Sequence, residues 1–284
     1  MGQRISFRGL FALALAGILP VGAPLGIAPI IKYAGPASIW PVLLGYLLVL
    51  ISSLPVLEYA RLSPFAGGYY GLAELGLGLF AGKYTALMNY IYYVVWQAQN
   101  ALLAGWLLTS LLASAYGGGP PAWLWAAAVE GVLILSYLGA VAPPKRYSED
   151  VLFAVLAGST AFTVALSLYV VAKSHYNSLD YLSPLSAPPG AIALATAVMG
   201  FWLYVGYGTP LFYSEEGANP TRDIWRAITL ALTLSAAVYA LSAYSIIAAV
   251  PPSDLAALES APMPMYYAWS SYLPAPSCWA MPLS

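Results

Sequence analysis

Glycine and proline crowd two of the apolar stretches in this chain, and backbone freed at such places can bind charge. The first stretch reads Gly17-Ile-Leu-Pro20-Val-Gly22-Ala23-Pro24-Leu25-Gly26-Ile-Ala-Pro29. The second reads Gly200-Phe-Trp-Leu-Tyr204-Val205-Gly206-Tyr207-Gly208-Thr-Pro210. A helix in lipid must satisfy its own backbone groups, so broken backbone at membrane depth is tolerated only where it is buried in protein or lines a cavity. An opened helix exposes N–H groups on one side of the break and carbonyls on the other. The N–H side favours an anion and the carbonyl side a cation. Two broken helices side by side offer both, which suits a zwitterion. Its carboxylate would meet the N–H groups of Gly22–Gly26, and its ammonium the carbonyls near Ala16–Gly17 and Tyr204–Val205. The competing reading is a pair of kinked helices with no ligand, since glycine and proline are frequent in membrane helices.

Other polar groups lie within apolar surroundings. Asn89, Tyr93, Gln97 and Asn100 follow one another at helical spacing and share one face. That face either lines a pathway or hydrogen-bonds between helices. Glu130 is a carboxylate well inside an apolar run, with no Lys or Arg inside any span to pair with it. Proton coupling is the functional reading; a protonated side chain, a wet cavity or contact with a further part of the protein are the others. Glu58 and Arg61, together with Glu215, Glu216 and Arg8, suggest a network closing one end of the bundle, against solvated loop charges as the simpler account. His175 has no second ligand near it in sequence, and the single cysteine, Cys278, excludes an internal disulfide or a paired-cysteine metal site. No phosphate-binding loop, zinc-protease motif, nucleophile elbow or paired-carboxylate motif is present, so nothing speaks for an enzyme or for a cofactor.

These residues need a membrane bundle to hold them. Of the 284 residues, 61% are hydrophobic and 7% charged, against about 25% charged in soluble domains. The expected fold is an all-α polytopic membrane protein. A net charge of −1 argues against a nucleic-acid partner. A span takes about 20 apolar residues, and seven stretches qualify: 9–31, 38–57, 84–113, 122–142, 151–172, 190–213 and 227–250. The first is too long for a signal-peptide core and is read as an uncleaved helix. With the N-terminus inside, Arg4, Arg8, Arg61, Lys83, Lys145, Arg146, Arg222 and Arg226 are cytoplasmic, and only Lys32 and Lys173 lie outside, as the positive-inside rule requires. Residues 1–250 then form the bundle. Residues 251–284 form a proline-rich extracellular tail, in which 265–273 suits a short helix over the outer face. The broken spans are the first and sixth, and breaks five spans apart are the sign of an inverted-repeat transporter.

Three stretches resemble the amino acid–polyamine–organocation (APC) permeases. Glu58-Tyr-Ala-Arg61-Leu-Ser-Pro64-Phe-Ala-Gly67-Gly68-Tyr-Tyr70 keeps the family's spacing after span two. The run from Phe201 to Gly208, followed by Glu215-Glu216-Gly-Ala-Asn219-Pro220-Thr-Arg222-Asp-Ile-Trp-Arg226-Ala-Ile228, is similar to the family's sixth span and its loop. The glycine-rich break of span one fits as well. Together they cover about residues 9–250.

The resemblance implies a LeuT-like inverted-repeat bundle and secondary active transport of amino acids or related amines by alternating access across the cell membrane. Substrate would bind the unwound backbone at Ala16, Gly17 and Gly22 to Gly26, and at Tyr204, Val205, Gly206, Tyr207 and Gly208. Tyr204 and Tyr207 are candidates for aromatic rings that close over it. Gly208 stands where the family has a carboxylate, and span five lacks the central lysine of some proton-coupled members, so the coupling ion, H⁺ or Na⁺, is open. Seven spans would be one repeat of five plus two of the second, which suggests a C-terminally truncated permease. The alternative is a membrane subunit or remnant without transport of its own, with a partner chain supplying the remaining helices.

Overall fold

A computed structural model describes residues 4–21, 26–62, 67–116, 119–139, 145–261 and 264–272. Every regular element among them is helical, apart from one isolated bridge between Ile5 and Gly217. The chain divides into two compact units.

The first unit holds residues 4–72 and 145–272. Span one is two helices, α1 (Phe7–Val21) and α2 (Ile27–Ala34), with residues 22–25 outside the described set. Span two is α3 (Ile39–Leu62). Next comes α4 (Gly68–Leu77), whose first residues belong to this unit. Span five corresponds to α7 (Lys145–Lys173). Span six is not one helix. It passes from α8 (Ala191–Ala195) through a π-turn (Thr196–Gly200) and a 3₁₀ turn (Trp202–Tyr204). Four non-helical residues then lead to a second 3₁₀ segment (Thr209–Glu216). Span seven is α9 (Pro220–Ala248), beginning earlier than the apolar pattern suggests because Pro220 suits the first helical position after Asn219.

The core of this unit is built around α9, which packs against α1, α3 and α7. Its buried face is rich in small residues, including Ala227, Ala231, Ser235, Ala236, Ser242 and Ala243. Small residues let membrane helices approach closely, where van der Waals contact replaces the missing hydrophobic drive. The same device joins α3 to span six: Gly45 lies against the backbone of Gly200, and Gly200 against the carbonyl of Pro41. Beyond α9, α10 (Leu255–Ser260) and α11 (Pro264–Ser270) pack on α2 and on each other, with Leu258, Ala268 and Trp269 buried. α11 overlaps the short helix expected at 265–273, and residues 251–272 fall within this unit. Residues 273–284, with Cys278, lie outside the described set.

The second unit contains residues 73–139 of the described chain. Gly78, at φ +88°, ends α4 and lets α5 (Leu79–Tyr116) start at once, five residues before the expected span. At 38 residues α5 is far longer than a bilayer requires. It pairs with α6 (Ala122–Gly139), Gly105 meeting the backbone of Ala122 and Ala126.

Among the described residues, Ile39–Leu62, Glu149–Lys173, Ala191–Glu216 and Pro220–Ala248 are long and apolar enough to cross a membrane, and Phe7–Leu19 and Ala122–Val132 are shorter apolar helices.

Candidate functional site

The two breaks meet. Gly206 sits at φ +106°, a conformation that side-chain-bearing residues rarely adopt, and Val205 before it is extended (φ −63°, ψ 136°). This turn carries the backbone of span six onto α1. The carbonyl of Gly206 lies against Cα of Gly17, and the carbonyl of Gly17 lies against Cα of Gly206. A side chain at either position would occupy the other's backbone. Thr209 Oγ1 donates to the Gly206 carbonyl at 2.9 Å and holds the turn from below. Above it, Gly26 packs on the side chain of Leu203. Among the described residues, the N–H groups of Gly206, Tyr207 and Gly208 make no close hydrogen bond to a backbone carbonyl. The site therefore offers N–H donors from span six beside the carbonyl end of α1, the two polarities a zwitterion needs. Ala16, Gly17, Val205, Gly206 and Tyr207 are half-buried there, while Gly26 and Gly208 are buried. Gly22, Ala23, Pro24 and Leu25 lie outside the described residues.

Tyr204 differs from the expectation of a ring closing over substrate. It is fully buried, its hydroxyl donates to the Val42 carbonyl at 3.0 Å, and its ring lies 6.0 Å from that of Tyr46 and 5.6 Å from that of Tyr239. It fastens span six to α3. A buried hydroxyl needs a partner, and the carbonyl of Val42 has a second lone pair to give. Tyr239 on α9 does the same for α1, donating to Ile18 O at 2.6 Å in the last turn before the break. Nothing in the sequence singled out Tyr239, since a tyrosine in an apolar span carries no positional signal.

At Gly208, which stands where the resembled family has a carboxylate, the hydroxyl of Tyr69 fills the space a side chain would take. Tyr69 reaches that point because Gly68, at φ +53°, turns the start of α4 against the ring of Phe212. Its ring lies edge-on to Tyr207 (6.4 Å) and Phe212 (6.1 Å). Gly67 precedes this turn, and its carbonyl accepts from Gly71 N. The Gly67-Gly68 motif and the broken sixth span thus form one local assembly.

Arg8 has a partner that the expected network did not include. Arg8 pairs with Asp150 on α7 (3.4 Å) and lies over the ring of Phe153 (4.1 Å). Glu58 and Arg61 pair with each other within α3 (3.7 Å). The two ion pairs are on different helices, and Arg8 takes its partner from the start of α7. The loop after span six engages the N-terminus through backbone. Ile5 N donates to Glu216 O (2.7 Å), and Ala218 N donates to Ile5 O (3.0 Å). Ser6 caps α1 by accepting from Gly9 N (3.1 Å) and donates to Glu149 (3.0 Å). Asn219 precedes α9 with no side-chain cap, its carbonyl accepting from Asp223 N at 2.8 Å, and Glu215 lies in the preceding 3₁₀ segment.

In the second unit, Asn89, Gln97 and Asn100 are half-buried on α5 and Tyr93 is exposed. Glu130 is half-buried on α6. Asn89 Nδ2 and Glu130 Oε1 are buried with no hydrogen-bond partner among the described residues. His175 is exposed in a loop.

The family model described as "Amino acid permease" matches residues 9–275. The chain belongs to the amino acid permease family. Among its relatives, a probable GABA permease of Pseudomonas aeruginosa is 25% identical over 257 residues, covering 87% of this chain and 52% of the relative. The gamma-aminobutyric acid permease of Escherichia coli is 24% identical over 260 residues, covering 88% and 54%. Cationic amino acid transporter 7, chloroplastic, of Arabidopsis thaliana is 22% identical over 269 residues, covering 88% and 45%. The chain spans about half the length of these curated relatives. Family membership and the apolar helices make it an all-α multi-pass membrane protein of the amino acid permease class, not an enzyme.

Proposed function

We propose that this chain works in secondary active transport of amino acids or related amines across the cell membrane, by alternating access, with the substrate held at the broken spans one and six. The observation that carries this reading is the reciprocal approach of Gly17 and Gly206. It sets backbone N–H groups of one broken span, which make no close backbone hydrogen bond among the described residues, beside a carbonyl of the other. Such a site reads the ammonium and carboxylate common to all amino acids and leaves the side chain to its neighbours. Two relatives are named for γ-aminobutyric acid and one for cationic amino acids, and substrates of both kinds carry those two groups. Tyr207, half-buried beside the break, is the ring we assign to the substrate side, while Tyr204 and Tyr239 hold the two spans in place. Asn89, Tyr93, Gln97, Asn100 and Glu130 belong, in this reading, to the pathway. The coupling ion is H⁺ or Na⁺.

The N-terminus lies in the cytoplasm in this account. The pairing of Ile5 with residues 216–218 then closes the inner side and must part for release inward.

The test is substrate counterflow in proteoliposomes containing the purified chain, preloaded with unlabelled γ-aminobutyric acid or single amino acids. Accumulation of the labelled substrate, abolished by Gly206→Ala, supports the proposal. No accumulation with any amino acid, by a folded and correctly inserted chain, overturns transport by this chain alone. That result would leave the alternative of a subunit or remnant dependent on a partner chain.

A further inference from the structure

Three arginines surround one surface cavity that the transport reading does not use. The cavity has a volume of about 340 Å³ and is lined by Arg61, Thr221, Arg222, Trp225 and Arg226. It lies where the end of α3 meets the start of α9, both in the first unit. Arg61 has Glu58 within 3.7 Å, an exposed pair. Among the described residues, neither ion pair includes Arg222 or Arg226. The one acidic residue in the first turn of α9, Asp223, is on the buried face.

This arrangement runs against what the helix itself prefers. Arg222 and Arg226 are four residues apart on one face, and like charges at that spacing repel. Both stand in the first two turns of a 29-residue helix, where the macrodipole already presents positive charge. Arg61 adds a third cation from another helix. Each of these penalties becomes a gain when an anion occupies the cavity. Guanidinium groups with planar forks suit the oxygens of phosphate in particular.

The surroundings say which phosphate. Trp225 lines the cavity and is 45% exposed, as an aromatic at headgroup level would be. Leu62, next to Arg61, and Leu230, one helical turn after Arg226, are 73% and 52% exposed, and α3 and α9 both have the length and composition of membrane spans. A ligand with a phosphate head and an apolar body matches cations and exposed apolar side chains placed side by side. A basic pocket between the ends of two membrane helices has the chemistry of a headgroup site.

We infer that the cavity between the ends of α3 and α9 binds the phosphate of an anionic phospholipid, through Arg61, Arg222 and Arg226. The inference rests on the chain being a multi-pass membrane protein, not on its transporting an amino acid.

The experiment uses the full chain purified in a non-ionic detergent. Thermal unfolding is followed while dioctanoyl phosphatidylglycerol, dioctanoyl phosphatidylcholine or inorganic phosphate is titrated. Phosphatidylglycerol should raise the unfolding temperature saturably, phosphatidylcholine should not, and inorganic phosphate should act only at much higher concentration. In Arg222→Gln/Arg226→Gln the half-saturating concentration of phosphatidylglycerol should rise at least about tenfold, the loss expected for one charge-assisted hydrogen bond or more. The lipid-free variant should unfold no earlier than the wild type, because the repelling pair is gone. Arg4→Gln, outside the cavity, should respond like the wild type. An equal response to the two lipids, or an unchanged response in the double variant, overturns the site. Inorganic phosphate matching phosphatidylglycerol overturns the lipid assignment and points to a free phosphate.

Discussion

Replacing Gly17 by alanine probes the contact on which the candidate site depends. A Cβ there would overlap the carbonyl oxygen of Gly206 and stand 2.9 Å from its carbonyl carbon and from Thr209 Oγ1, where ordinary contact is 3.4–4 Å. The atoms in the way are mainly backbone, and Thr209 is itself bonded to Gly206, so no flexible side-chain end can move aside. Over-packing of this kind costs about 1–3 kcal/mol. Because about 1.4 kcal/mol is tenfold in an equilibrium, the conformation with the breaks in contact would fall in population by roughly 5- to 150-fold. Gly206→Ala meets the carbonyl of Gly17 in the same way and adds backbone strain of about 1–3 kcal/mol for a non-glycine residue at positive φ. Gly158→Ala is the control. Nothing lies within 4 Å of its Cβ position, and alanine in a helix interior is favoured over glycine by about 0.5–1 kcal/mol. Thermal unfolding of the purified proteins in one detergent should therefore rank Gly206→Ala lowest, Gly17→Ala next, and Gly158→Ala at or above the wild type. A Gly17→Ala protein that unfolds with the wild type would refute the close approach of the two breaks.

Tyr239→Phe removes the hydroxyl bond to Ile18 O and should cost about 0.5–1.5 kcal/mol in unfolding free energy, with weaker substrate binding as α1 loses its anchor. A calorimetric titration that finds binding unchanged would remove Tyr239 from the positioning of the break. Asp150→Asn breaks an ion pair whose two side chains are 54% and 57% exposed; its effect on stability should stay below about 1 kcal/mol and vanish in high salt. Burial raises the pKa of Glu259 on α10 above its ordinary value. The folded chain then binds the proton more tightly than the unfolded chain, so stability should fall slightly as pH rises through the carboxylate range up to the folded-state pKa. Glu259→Gln should remove that part of the pH dependence, which unfolding curves at several pH values would detect.

The breaks were legible because glycine and proline do there what other residues cannot. Gly206 must take a positive φ, and α1 ends at Val21 within the expected glycine-rich run. The short helix near the end, α11, was legible from its apolar residues between prolines. Contacts between distant parts of the chain were not. The carbonyl partners of Tyr204 and Tyr239 are 162 and 221 residues away, and no periodicity within a span predicts them. The pairing of Arg8 with Asp150 at the start of α7 was not legible, because charge at the end of a helix says nothing of which neighbour it meets. Tyr69 and Gly208 belong to two motifs whose meeting appears only in the fold. It explains why a side chain is absent at 208: the hydroxyl of Tyr69 fills the place.

The central claim is that an amino acid sits at the meeting of spans one and six. The sequence has one cysteine, Cys278, so Cys278→Ser gives a background without thiols, and Tyr207→Cys then places a single thiol beside the break. The rate of its alkylation, measured with and without saturating substrate, tests the claim most directly. The account predicts that γ-aminobutyric acid or an α-amino acid slows the reaction, while the matching amine without its carboxylate does not. Labelling at one rate in the presence and absence of every amino acid that the protein binds would contradict it.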